Sequence, residues 1–164
     1  MAPERTHHVI ATAAMVVSVA ACAPHAPTVA TQRVSIGGHR FELELAIDGR
    51  TRYQGLSDRE SIDPQGGMLF VFPEALKLEF VMRRCFVPID LIFLDTNGYV
   101  IRMHRMNVER NPLGPDGELT KYGSADPAHF AIELDGGTLD KLDLKIADRI
   151  DLPLETLKKM AGKS

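Results

Sequence analysis

The chain has 164 residues, with 19 Lys and Arg against 22 Asp and Glu, a net charge of -3 at pH 7, and no tryptophan. That length supports one compact domain rather than two. The charge supplies no basic stripe to neutralise phosphates, so a nucleic-acid partner is not expected.

The N-terminus predicts a location. Arg5, His7 and His8 precede an apolar run from Val9 to Ala21 that closes on Val19-Ala20-Ala21-Cys22. A positive start, a run too short to span a bilayer comfortably and small residues at its end make residues 1–21 a signal peptide. The pattern resembles a bacterial lipobox, in which the cysteine after the cut, here Cys22, carries the lipid, such as palmitate. Ala23 in place of an Asp resembles the lipoproteins that are sent to the outer membrane. The expectation is a domain anchored by lipid and facing the periplasm, the alternative being a soluble secreted or periplasmic protein. Each acyl methylene buried in the bilayer contributes about 0.8 kcal/mol, so two or three chains hold a domain without a spanning helix. With Cys22 lipidated, Cys85 has no second cysteine to pair with, and the fold must rest on an apolar core.

Residues 22–32 read as the lipidated N-terminus and a Pro-containing tether, and 33–152 as the domain. Within it, Arg40 to Ile47 alternates apolar and acidic residues after Gly37-Gly38, which predicts a turn and a half-buried strand. Asp48 to Ser61 predicts a short helix entered at Asp48 or Thr51 and weakened by Gly55. Gly67 to Pro73 is an apolar run of strand length with both faces buried. A strand ending at Met82 is followed by the basic connection Arg83-Arg84. Pro88 leads into a strand over Asp90 to Asp95, which a turn at Asn97-Gly98 joins to a strand from Tyr99 onward. Residues 107–127 read as a long surface loop and the natural cover for a ligand. His129 to Leu134 predicts a strand, Thr138 to Leu144 a short helix, and Asp148 to Leu152 a last strand. The tail, 153–164, carries a frayed helix from Leu154 to Lys163. The expected fold is mainly β, a single compact sandwich or barrel of six or seven short strands with two or three short helices.

Several residues in this order resemble one family. They are Arg52 with Gly55-Leu56 and Arg59, Gly67-Met68-Leu69-Phe70, Phe80 with Met82, Pro88-Ile89-Asp90 with Phe93, Asp95 and Gly98, and Glu133-Leu134 with Gly136-Gly137. Together they span nearly all of residues 34–152 and resemble the bacterial domain of unknown function 192 family. The resemblance implies a small mainly-β domain, often exported and sometimes lipid-anchored, with no established activity. The chain departs from the family pattern at Val81, where a Trp is common, at Arg84 and Cys85, where Asn and Thr are common, and at Ala147, where Gly is common.

The candidate chemistry is thin. Cys85 beside two arginines suggests a thiolate, yet no His stands in an active-site signature to serve as its base, so the expected role is a small buried hydrophobe. His104 and Met106 share one face of their strand and are weak soft-metal ligands for Cu(I), too few unless Met82 or Cys85 joins them. Asp90, Asp95 and Glu133 are the carboxylates a hydrolase would need, although Asp90 and Asp95 fall on opposite strand faces. Arg52, Arg59, Arg83 and Arg84 are expected to pair with Asp90 and Glu133, the alternative being an anion-recognition patch. The reading is therefore a binding or accessory module without a cofactor, a carboxylate hydrolase being the rival and a copper-binding protein the weaker alternative.

Overall fold

The computed structural model describes residues 29–162. Residues 1–21, Cys22 and the tether as far as residue 28 lie outside the described residues. In chain order the elements are β1 (Thr31–Ile36), β2 (His39–Ala46), α1 (Gly49–Gln54), β3 (Met68–Leu76), β4 (Glu79–Phe80), β5 (Ile89–Leu94), β6 (Val100–Met106), β7 (Tyr122–Gly123), β8 (Ala128–Asp135) and α2 (Leu154–Ala161). Short 3₁₀ turns occupy Asp116–Glu118 and Leu139–Lys141. No helix among the described residues is long and apolar enough to cross a membrane.

Local chemistry sets most of these boundaries. Gly37 and Gly38 both take positive φ, +53° and +81°, which a two-residue hairpin turn between β1 and β2 demands. Strand β2 pairs in parallel with β3, so the chain must cross over between them. That crossover carries α1, which opens on a capping box: the Asp48 carboxylate accepts the Thr51 N-H while the Thr51 hydroxyl faces the Asp48 N-H. Gly55 ends α1 at φ +51°. Between β5 and β6, Asp95 accepts the N-H groups of Asn97 and Tyr99, and Gly98 alone in that turn has positive φ, +83°.

The main sheet has the order β1-β2-β3-β8-β5-β6, and β4 with β7 forms a separate two-stranded piece. With β1 and β6 as edges the sheet is open, so the barrel alternative is corrected, and the mainly-β single domain stands. Strand alternation divides the core in two. One face carries Leu43, Leu69, Ile92, Phe130 and Ile132 and is covered by the C-terminal segment through Leu142, Ile150, Leu152 and Leu157. The other carries Phe70, Leu91, Phe93 and Ala131 and is covered by Leu56 and Ile62 of the crossover and by Leu78, Met82 and Cys85. Burial of both faces explains the continuous apolar runs in β3, β5 and β8.

Other expectations are corrected. Residues 31 and 32, assigned to the tether, begin β1, whose first three residues, Thr31, Gln32 and Arg33, are all polar and give no alternation to mark the strand start. The segment from Asp148 to Leu152 forms one bridge, Tyr99 with Arg149, rather than a strand, because Ile150 and Leu152 are used to cap the sheet face. The predicted helix over Thr138 to Leu144 shrinks to the 3₁₀ turn. The tail is not outside the domain: α2 buries Leu157 and Ala161 in its core. Strand β3 continues past Pro73, and its ladder with β8 breaks between Val71 and Leu76, where the proline has no N-H to give.

Candidate functional site

One depression in the described surface is lined by an ionisable group with an unmet hydrogen-bonding requirement. It is a cleft of about 340 Å³ on the crossover-covered face, between residues 52–57 on one side and 79–85 on the other. Its floor is the sheet, represented by Phe70, Phe72 and Glu133. A larger depression of about 770 Å³ follows β1 and β2, but its polar lining includes the Arg59-Glu44 pair and the exposed Glu42 and Arg33.

Glu133 is the centre of the cleft. The strand β8 places Phe130, Ile132 and Leu134 on one face of the sheet and Ala131 and Glu133 on the other. Its side chain is nearly inaccessible, at 5% exposure, and Oε2 has no hydrogen-bond partner. Burial pushes its pKa from the ordinary 4.5 up to about 7, against the opposing pull of the Leu56 backbone N-H and the Arg59 guanidinium. Gly55 packs beside this group: a Cβ there would stand 3.5 Å from both Glu133 Oε2 and the Phe70 ring, an ordinary van der Waals contact. Phe70 and Phe80 meet edge to face at 5.0 Å, and Phe80 meets Phe93 at 5.4 Å, which fixes the aromatic side of the cleft.

The arginines surround this site, but their partners differ from those expected. Arg59 is bidentate on Glu44, at 2.7 and 2.8 Å. Arg52 donates to the carbonyls of Ile47 and Val71, at 2.6 and 2.9 Å, and lies over the Phe72 ring. Arg83 stacks 3.7 Å above the Tyr53 ring, donates to the Tyr53 carbonyl and pairs with Asp116. Arg84 pairs with Asp58 on the exposed surface. The acids that hold them, Glu44, Asp58 and Asp116, are remote in sequence or lie outside the motifs, so spacing gave no signal for them.

The carboxylate set expected of a hydrolase is not brought together. Asp90 is one register step from Glu133, opposite Leu134 across the β5-β8 ladder, and so emerges on the other face. There it accepts the Leu139 N-H at 2.7 Å; burial raises its pKa. Asp95 holds the β5-β6 turn. The acidic residue that does join Glu133 in the cleft is Glu79, which pairs with Lys121.

Cys85 also lines the cleft, yet burial, and then the neighbouring Glu133, push its thiol up to about 11, so it remains protonated at neutral pH. His104 is placed between the Phe93 and Tyr122 rings with its Nε2 on the Gly123 carbonyl at 2.8 Å. Met106, Met82 and Cys85 belong to one buried apolar cluster, the environment of core sulfur. Among the described residues no three His, Cys, Asp or Glu side chains gather as metal ligands. The loop 107–127 contributes no lining residue, contrary to expectation; it is tied down by β7 on β4, by Arg83 on Asp116 and by the Pro112 carbonyl, which accepts the Arg84 N-H. Sequence reasoning named Glu133, Arg52 and Arg83 but missed Tyr53, Ser57 and Phe72 as walls. The available signal was an acid inside the apolar run Phe130 to Leu134. Val81 lines the cleft as well.

Comparison with known proteins agrees with this architecture. A Sinorhizobium meliloti 1021 protein described as a "putative transcription regulator" shares 30% identity and a TM-score of 0.62, over 73% of this chain and 89% of its own. A protein of unknown function from Novosphingobium aromaticivorans DSM 12444 has 24% identity and a TM-score of 0.67, over 83% of this chain and 99% of its own, and shares the fold. No curated protein matches. The model of the DUF192 family, described as an uncharacterized ACR, matches residues 32–152, and the chain belongs to that family.

Proposed function

We propose that this protein is a small-molecule-binding module of the cell envelope, attached through a lipid on Cys22 and facing the periplasm from the outer membrane. The observation that carries the binding part is the buried, unpartnered Oε2 of Glu133 in an aromatic cleft. A buried polar atom without a partner is destabilising, and an occupant that supplies a donor relieves it. The lipobox-like Val19-Ala20-Ala21-Cys22 supports the anchor. The separation of Asp90 from Glu133 onto opposite sheet faces, and the Lys121 partner of Glu79, favour binding over carboxylate hydrolysis. A nucleic-acid partner is not part of this proposal, since the net charge of -3 offers no attraction to phosphates.

The test is a screen of small amphipathic fragments against the full-length chain, followed by protein-observed NMR. Fragments that bind should shift the resonances of Phe80, Cys85 and Glu133. Fragments that bind elsewhere, or none that bind, would remove the cleft as the working site.

A further inference from the structure

The charged groups around Glu133 define what its occupant must bring. From the crossover, Arg52 and Arg59 face it; from the segment after β3, Glu79, Arg83 and the Cys85 thiol do so. Every guanidinium here is engaged elsewhere: Arg59 on Glu44, Arg52 on two carbonyls, Arg83 on Asp116 and Tyr53. The thiol donates to the Arg83 carbonyl at 3.4 Å. In its ionised form the carboxylate accepts and cannot donate, so what Oε2 lacks in that form is a donor. An anionic ligand would meet guanidinium groups already engaged with Glu44, Asp116 and backbone carbonyls, and the Glu79 carboxylate on the same wall.

We propose, resting on the binding reading above, that the cleft takes a small organic ammonium ion, its N-H donating to Glu133 Oε2 and its apolar stem against Phe70 and Phe80. A carboxylate removed from water attracts a cation more strongly than an exposed one, and ring faces add to that attraction. The volume of about 340 Å³ suits a compact ligand. Binding of the cation to the ionised carboxylate releases the proton that free Glu133 holds over part of the neutral range.

The probes are benzylammonium, benzyl alcohol and benzoate, which share a ring and differ in the polar group. Each is titrated into the full-length wild-type chain at about pH 6 and about pH 8, with affinities read from NMR shifts of cleft residues. With Glu133 titrating near 7, the affinity for benzylammonium should rise about tenfold between those pH values, while benzyl alcohol binds more weakly at about pH 8. In Glu133→Gln the preference for the ammonium over the alcohol should disappear. If benzyl alcohol or benzoate binds as tightly as benzylammonium at about pH 8, if ammonium affinity ignores pH, or if Glu133→Gln keeps the preference, the ammonium proposal is overturned while the cleft remains a binding site. If no probe binds, the ammonium proposal and the binding reading fall together. The wild-type comparison of three probes stands even if the Glu133→Gln chain folds poorly.

Discussion

Glu133 carries a cost in the folded state that can be read directly. Its folded pKa, about 7, lies above the ordinary 4.5, so the folded protein binds the proton more tightly than the unfolded chain does. The resulting stability is fully present below about 4.5 and is lost as pH rises through about 7, a change on the order of 3 kcal/mol. His129 acts in the opposite sense: burial holds its pKa down, so its contribution improves as pH rises. Comparing wild type with Glu133→Gln separates the two, since His129 is common to both. The urea-unfolding free energy of wild type should fall relative to Glu133→Gln between about pH 4.5 and pH 7. Parallel curves for the two chains would mean that Glu133 is not desolvated. The other ionisable residues named from sequence are satisfied: Arg59 by a fork-to-fork carboxylate pair, Arg52 by two carbonyls, Asp90 by a backbone N-H.

Among the elements, the entry to β3 is the tightest construction. Gly67 has φ +139°, and a Cβ there would lie 2.3 Å from the Glu133 carbonyl oxygen on the neighbouring strand. Backbone on both sides cannot yield, so Gly67→Ala should destabilise the protein by about 3 kcal/mol or more, measured as a lowered midpoint of thermal or urea unfolding. An unchanged midpoint would show that β3 and β8 can separate locally. Elements governed by nearby residues were legible in the sequence. The Gly37-Gly38 hairpin, the Asp48 cap and the Pro88 strand start each depend on chemistry within a few positions. Elements governed by distant ones were not. Whether Asp148 to Leu152 pairs as a strand depends on β6 and the sheet face it covers, and the short β4-β7 pair joins residues far apart in sequence. The site shows the same division: an acid in an apolar strand marks Glu133, but nothing local in Tyr53, Ser57 or Phe72 announces that they face it.

In the described domain one sheet face is covered by the C-terminal segment, and the other, covered by the crossover and the segment after β3, holds the Glu133 cleft. The domain begins a strand at Thr31, so only a short stretch separates Cys22 from the folded part, and the proposed lipid would hold the domain close to the bilayer. Replacing Cys22 by Ala should move the protein from the membrane to the soluble fraction of the envelope; equal membrane retention by wild type and Cys22→Ala would reject the anchor. The central claim, that Glu133 is a desolvated acid awaiting a cationic occupant, is tested most directly by its own titration. The carboxyl ¹³C resonance of Glu133 in the full-length chain should titrate near 7 without ligand and at a clearly lower pH with saturating benzylammonium. A free value near the ordinary 4.5, unmoved by the amine, would contradict it.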